Sequence, residues 1–282
     1  MRLLVTGGAG MLGQAVAAVA TRLGHDVIAL SRADLDITDS DHVRRVVAAA
    51  EPRAVINCAA WTDVDGAETA EAAAMAVNAT GAGNVARAAA ENGARLVHVS
   101  TDYVFDGQKR EPWVESDPVA PVGAYGRSKL AGEHEVAAAG GEHAIVRSAW
   151  LFGAGGPNFV DTMLALGEER DEVSVVADQV GSPTWTGHLA EAVVELAERR
   201  GDTAIFHAAG AGACSWYELA VEVFDRAGVS CRVLPTTTER FARAAPRPAY
   251  SVLGTERDEA PILPPWQEGV AAYLSEKAVL AG

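Results

Sequence analysis

The chain's scarcities set its first limits. It has three cysteines in 282 residues, Cys58, Cys214 and Cys231, an odd number set far apart. That argues against a disulfide framework and predicts reduced thiols, as in a cytoplasmic protein. It has only three lysines, Lys109, Lys129 and Lys277, and its 38 acids outnumber its 23 Lys and Arg residues, for a net charge of -15. Such a surface repels phosphate backbones and anionic headgroups, so no nucleic-acid partner and no membrane surface is expected. No run of eighteen apolar residues occurs, which excludes a transmembrane helix, and the first apolar stretch is too short for a signal peptide. Internal repeats and low-complexity linkers are absent. With 49% hydrophobic and 22% charged residues, the chain has ample material for a globular core.

The most informative stretch is the first. Met1 to Thr6 is a short apolar run, Gly7-Gly8-Ala9-Gly10-Met11-Leu12-Gly13 follows at once, and Gln14 to Leu23 carries helical spacing. This reads as strand, glycine turn, helix. Glycines there let backbone approach a pyrophosphate, and the helix N-terminus offers N–H groups to it. The spacing Gly7-x-x-Gly10-x-x-Gly13 is one residue wider at the front than the usual dinucleotide fingerprint. A structural tight turn is the other reading of these glycines; the flanking strand and helix favour a nucleotide. No lysine follows the last glycine, which argues against a nucleoside-triphosphate loop.

Asp26 to Ser31 reads as a second strand, ending Leu30-Ser31-Arg32 with no acid until Asp34. An acid at that end would bind a ribose 2′-hydroxyl and repel a 2′-phosphate. Arg32 has the fork that suits a 2′-phosphate, which tilts the cofactor toward NADPH over NADH; its other reading is a solvated surface arginine. Asp34 to Thr38 forms a loop suited to lie against adenine, and Thr38 or Asp39 caps a helix over 42–50. Ala54 to Ala60 is a buried strand, with Trp61 to Asp65 at its carboxyl end, where ligand contacts are expected. One long Ala-rich helix is expected over 67–92, then a strand at Leu96–Ser100.

This order predicts an α/β protein with a Rossmann-like, doubly wound parallel sheet. Past residue 150 the rhythm loosens. Residues 1–150 are read as the NAD(P)-binding domain and 151–282 as mainly a smaller C-terminal substrate-binding lobe, with later segments returning to the sheet. Helices are expected over 158–166, 188–200 and 265–278, strands over 144–147, 173–176 and 204–207, and a capping box from Ser215 to Glu218.

Tyr125 and Lys129 stand four apart, on one face of the helix they open. A nearby ammonium favours a phenolate and is expected to lower the tyrosine pKa. Such a tyrosine can protonate a carbonyl oxygen as hydride arrives from a nicotinamide, and Thr101, at a strand end, can hydrogen-bond the same oxygen. Taken alone, the pair is equally a surface contact contributing a few tenths of a kcal/mol.

Several motifs recur in a specific order: 5–13, 56–65, 99–107, 125–133, Arg147-Ser148-Ala149-Trp150, Asn158-Phe159-Val160, 178–184 and Arg247-Pro248-Ala249-Tyr250-Ser251. In these the chain resembles the extended short-chain dehydrogenases/reductases, and within them the dTDP-4-dehydrorhamnose reductase family, over nearly its whole length. The resemblance implies NAD(P)H-dependent reduction of the C4 keto group of dTDP-4-dehydro-6-deoxy-L-lyxo-hexose to dTDP-L-rhamnose. It implies Thr101, Tyr125 and Lys129 as the catalytic trio, with Tyr125 and Lys129 also touching the cofactor. Gly7, Gly10, Met11 and Leu12 would lie along the pyrophosphate, Asp36 and Ile37 near adenine, and Ala59 and Ala60 under the cofactor. Thr62, Val64, Asp102, Trp150, Asn158 and Arg247 match positions near the dTDP-linked 4-keto sugar. Trp150 also reads as core, Asp102 as a turn cap and Arg247 as a surface arginine.

The chain departs from the family at Gly66, where lysine is frequent, and at Trp61, where tyrosine or histidine is usual. Some relatives dimerise through magnesium held by C-terminal carboxylates. Glu256, Asp258 and Glu259 show no spacing that compels a metal site, so magnesium and a homodimer are compatible but not predicted. Two other functions fit the pattern: a 4-ketoreductase for another nucleotide-linked deoxysugar, and a non-catalytic NADP-binding regulatory subunit.

Overall fold

The computed structural model describes residues 1–201 and 203–281. In chain order the elements are β1 (Arg2–Thr6), α1 (Met11–Arg22), β2 (Asp26–Leu30), α2 (Ser40–Ala50), β3 (Ala54–Asn57), α3 (Val64–Thr69), α4 (Glu71–Met75), a π-helical turn (Ala76–Gly81), α5 (Ala82–Glu91), β4 (Arg95–Thr101) and a 3-10 turn (Asp102–Val104). There follow α6 (Ala124–Ala138), β5 (His143–Ser148), β6 (Leu151–Phe152), α7 (Phe159–Glu169), β7 (Glu172–Val176), β8 (Val180–Gly181), β9 (Thr184–Trp185), α8 (Thr186–Glu198), β10 (Ala204–His207), β11 (Cys214–Ser215), α9 (Trp216–Ala227), β12 (Arg232–Thr236) and α10 (Trp266–Ala281).

Six strands form the main sheet in the order β10-β5-β4-β3-β1-β2, all parallel. Every residue of β3 and β5 is buried. Helices cover both faces, which is why each strand has an apolar centre, residues 54–56 in β3 and 144–146 in β5. On one face α1 and α8 pack through Val16, Ala20, Leu189 and Val193 against Leu3, Ile56 and Val146. On the other, Val43 and Val47 of α2, Val85 and Ala89 of α5 and Val136 of α6 cover Leu4, Val55 and Ile145. Each fully buried Leu or Ile here contributes about 1.5–3 kcal/mol. The order of winding reverses between β1 and β3, and the carboxyl ends of those strands open the crevice where such sheets bind ligands.

The sixth strand comes from beyond residue 150, since β10 pairs with β5 from Ala204↔Ala144 to His207↔Arg147. The remaining C-terminal elements build a separate core from Val160, Met163, Val173, Leu219, Val223, Phe224, Val270 and Tyr273. Small two-stranded pairings, β7 with β12, β6 with β9 and β8 with β11, frame it.

The single helix expected over 67–92 is instead broken into pieces. Asp63 caps α3 by accepting the Gly66 N–H at 2.8 Å, and Ala70, at φ -133 and ψ 41, ends it. The π-helical turn then brings Asn78 inward. Its amide accepts the Trp61 N–H at 2.8 Å and donates to Trp61 O at 3.1 Å and to Ser128 Oγ at 2.9 Å. A buried amide needs such partners, and one wide turn supplies them where a regular helix would point the side chain elsewhere. Asp39, not Thr38, caps α2, accepting the His42 N–H at 2.9 Å.

Candidate active site

The glycine turn is shaped by close approach. Gly7 has φ +68, and a Cβ on it would lie 2.7 Å from Ala59 N, so the turn lies directly on the end of β3. A Cβ on Gly13 would stand 2.2 Å from Gly7 O, so α1 can start this close to the turn only with glycine there. Gly10 caps α1 without a side chain, and no acid lies in the first turn. Its first N–H groups therefore meet no carboxylate of their own helix. Met11 and Leu12 open that helix, and a Cβ on Gly156, in the loop after β6, would lie 3.4 Å from Met11 Cβ.

At the end of β2 the Asp34 carboxylate is turned back on its own loop. It accepts from Ser31 N at 2.9 Å and from Ser31 Oγ at 2.6 Å. Arg32 is left exposed beside it. Asp36 accepts from Thr38 N and Oγ1, at 2.9 and 2.8 Å. Ile37 is 3% exposed, and its carbonyl takes the Asn84 amide at 3.0 Å. Its side chain anchors the loop in the core, so only the loop's outer edge faces the crevice. Ala59 and Ala60 sit half-buried at the end of β3.

Thr101, Tyr125 and Lys129 come together where β4 and α6 meet. Glu68 of α3 accepts the Ala124 N–H at 2.7 Å and so caps the start of α6, where Gly123 offers no side chain. Ser128 Oγ donates to Tyr125 O at 2.8 Å, and the Tyr103 ring meets the Tyr125 ring edge-on at 5.6 Å. Lys129 is buried, and its Nζ donates to Val99 O at 2.7 Å. Thr101 Oγ1 donates to Asp102 Oδ1 at 3.0 Å and accepts from Tyr103 N at 3.2 Å.

The electrostatics correct one expectation. Lys129 does not lower the tyrosine. Burial first, and the Asp102 carboxylate second, push Tyr125 up to about 12, and only the Thr101 hydroxyl acts the other way. The Lys129 ammonium is turned to the Val99 carbonyl. Burial brings Lys129 down to about 8, opposed by Glu133 and Cys58. Burial likewise raises Asp102 to about 6, against hydrogen bonds from Ser251 and Thr101.

The residues expected near a substrate differ in exposure and in partners. Thr62 is exposed, and Val64 is the half-buried first residue of α3. Trp150 holds φ +49, a costly conformation for a bulky residue, and stacks on Trp216 with ring centroids 3.5 Å apart and planes 4° from parallel. Arg247 is bound to Asp65, with Arg243 3.6 Å from the same carboxylate. Asn158 is engaged inside the lobe: it caps α7 by accepting the Asp161 N–H at 3.0 Å, and its amide donates to Gly153 O at 3.0 Å and Asp161 Oδ2 at 2.8 Å. Asp65, Asn78 and Trp216 were not marked as site residues by sequence. Asp65 was visible only as one of several acids in a motif, and Trp216 only as a residue after a helix cap.

Among the described residues no group of three or more His, Cys, Asp or Glu side chains is placed to hold a metal ion, and no helix is long and apolar enough to cross a membrane.

The chain is similar to known proteins over nearly its whole length. The dTDP-4-dehydrorhamnose reductase of Streptomyces griseus is 46% identical over 287 residues, covering 100% of this chain and 94% of the relative. The dTDP-4-keto-6-deoxy-D-glucose reductase of Streptomyces niveus is 46% identical over 255 residues, covering 90% of this chain and 88% of that one. The crystal structure of dTDP-4-dehydrorhamnose reductase from Bacillus anthracis in complex with NADP superimposes with a TM-score of 0.94 at 40% identity, covering 98% of this chain and 99% of that chain. A family model described as the RmlD substrate binding domain matches residues 1–279. The chain belongs to the RmlD substrate binding domain family.

Proposed function

We propose that the protein is an NADPH-dependent reductase of a dTDP-linked 4-keto sugar, turning dTDP-4-dehydro-6-deoxy-L-lyxo-hexose into dTDP-L-rhamnose. The observation that carries the reading is the meeting of Thr101, Tyr125 and Lys129 at the carboxyl edge of the sheet that also bears the glycine turn. Gly7 and Gly13, where any Cβ would strike backbone, let the turn pack against the end of β3 and present the uncapped start of α1, which fits a pyrophosphate laid along Gly7, Gly10, Met11 and Leu12. Arg32 reads the 2′-phosphate, Asp36 and Ile37 border the adenine, and Ala59 and Ala60 underlie the rest. Bound NAD(P)H supplies the hydride.

The chain's own groups supply the proton and the orientation. Tyr125, pushed up to about 12, stays protonated at neutral pH. It is still a much stronger acid than the secondary alcohol it forms, so it can give its proton to the C4 oxygen. Thr101 turns its hydroxyl from Asp102 to the same oxygen. The Lys129 ammonium holds the nicotinamide ribose and so orients the hydride donor beside Tyr125. Thr62, Val64, Asp102, Trp150 and Arg247 border the sugar nucleotide, with Arg247 on the diphosphate; Asn158 supports the loop beside it. Residues 1–150 with α8 and β10 form the cofactor side, and the rest of 151–282 the substrate lobe. The three cysteines are free, which fits a reducing compartment, and we place the protein in the cytoplasm.

The Streptomyces niveus relative, 46% identical, favours one second reading: reduction at C4 of another dTDP-deoxysugar by the same trio, with hydride meeting the other face. A coupled assay separates them. The protein is given the L-lyxo 4-keto sugar and NADPH, the loss of nicotinamide absorbance is followed, and the product is identified by NMR. dTDP-L-rhamnose supports the first reading and the C4 epimer the second; NADPH bound but never oxidised points to a regulatory subunit.

A further inference from the structure

Behind the trio lies a buried ion pair that the chemistry above does not use. Glu133 stands one turn beyond Lys129 on α6, and Arg147 lies in β5. Both side chains are 3% exposed. The contact is bidentate: Arg147 Nε donates to Oε1 at 2.9 Å and its terminal nitrogen to Oε2 at 2.7 Å. Ser100, the residue before Thr101, donates to the same Oε1 at 2.5 Å and is the register partner of Arg147 across β4 and β5. The guanidinium also lies 5.2 Å over the ring of Phe105, which ends the turn carrying Asp102 and Tyr103.

We propose that Glu133 and Arg147 are positioning residues for the reaction: the pair fixes the helix bearing Tyr125 and Lys129 against the strand bearing Thr101, and Glu133 supplies the carboxylate that faces the Lys129 ammonium. Stability alone is a poor reason for the pair. Two buried charges cost several kcal/mol each to desolvate, and well-packed apolar residues often serve as well or better. What the pair supplies is contact with every carrier of the trio at once, in a fixed fork geometry. A displacement of about 1 Å at such a site costs rate steeply.

The surroundings of Lys129 make the claim measurable. Cys58 at the end of β3 is pushed up to about 12 by burial, and His98 in β4 is held well below its usual range, chiefly by burial. Both are neutral at pH 7. Tyr125 shares the helix, also neutral, and Val99 contributes only its carbonyl. Glu133 is thus the charge that favours the ammonium. Removing it makes Lys129 lose its proton at lower pH.

The inference rests on the reductase reading, so one readout is independent of turnover. The chain has three lysines. Protein labelled with 13C at lysine Cε gives three side-chain signals, and K109R with K277R assigns the Lys129 signal. In E133Q the Lys129 midpoint is expected to fall by about one pH unit or more, with E133D near wild type. If wild type oxidises NADPH with the keto sugar, E133Q is expected to keep its KM, lose at least about tenfold in kcat, and show an alkaline limb shifted by the same amount. An unchanged Lys129 midpoint, or wild-type kcat in folded E133Q, overturns the proposal; a wild type that consumes no NADPH overturns the reductase reading instead. If E133Q fails to fold, E133M/R147L removes both charges. A folded double variant with a lowered midpoint supports the role, and wild-type values overturn it.

Discussion

Asp65 holds Arg247 at both ends of its guanidinium, Nη1 donating to Oδ1 at 3.2 Å and Nη2 to Oδ2 at 3.0 Å. Asp65 lies on α3, after the sheet's carboxyl edge, and Arg247 in the segment before Tyr250, so the pair ties that C-terminal segment to α3. The same carboxylate accepts the Ala245 N–H at 2.9 Å and attracts Arg243. One acid therefore orients two arginines and leaves one positive charge in excess, which suits a diphosphate.

Asp65→Asn should weaken that orientation in both the ground and transition states. KM for the dTDP-sugar is expected to rise about tenfold, the worth of one charge-assisted bond, with kcat nearly kept. Steady-state kinetics at two salt concentrations checks this. A fall in kcat at constant KM would mean that Asp65 acts on the chemistry rather than on binding.

Tyr125→Phe removes the proton donor without emptying the pocket. NADPH binding, measured by fluorescence titration, should persist while turnover drops at least about 100-fold. In the wild type the alkaline limb should report Lys129, because Tyr125 is pushed up to about 12 and Lys129 only down to about 8. Activity is therefore expected to fall as pH rises through about 8, where the ammonium loses its proton, and a limb near 10 would contradict the assignment.

Asp102 carries a cost that function imposes on stability. Its folded-state value is raised from 3.8 to about 6, chiefly by burial. Between those values the native chain binds the proton more tightly than the unfolded one, so this group's contribution to stability falls as pH rises through that window. Asp102→Asn removes the penalty. The variant should melt several degrees above wild type at pH 7.5, with the gap closing below pH 4, and should lose activity. Equal melting curves at pH 7.5 would show that the carboxylate is not strained by burial.

Arg32→Ala should weaken NADPH binding more than NADH binding. Asp34 is committed to Ser31, so no acid at that strand end is left to favour NADH. Equal losses for the two cofactors, by isothermal titration, would remove Arg32 from the 2′-phosphate site.

Much of the fold was legible because its signals are local. Continuous apolar strands, a glycine turn and the Ser215–Glu218 capping box, which forms as its spacing suggests, each depend on neighbours in sequence. The break in the helix over 67–92 was not, because alanine favours helix whether the turns are α or π, and Asn78 turns inward for partners at Trp61 and Ser128. Two-residue strands such as β8 and β11 carry no periodicity at all. In the site, Tyr125 and Lys129 are visible by spacing. The tyrosine's raised pKa is not, since burial and Asp102 outweigh a lysine that β4 has already claimed. Asp65 with Arg247, and Trp150 with Trp216, are 182 and 66 positions apart and meet only in three dimensions.

The most direct measurement traces the hydride. The protein is incubated with the L-lyxo 4-keto sugar nucleotide and NADPH deuterated at the transferable position, and the sugar is read by deuterium NMR. The account predicts label at C4 of dTDP-L-rhamnose, formed by the wild type and at least about 100-fold more slowly by Tyr125→Phe. Label at another carbon, or transfer at C4 that does not need Tyr125, would contradict it.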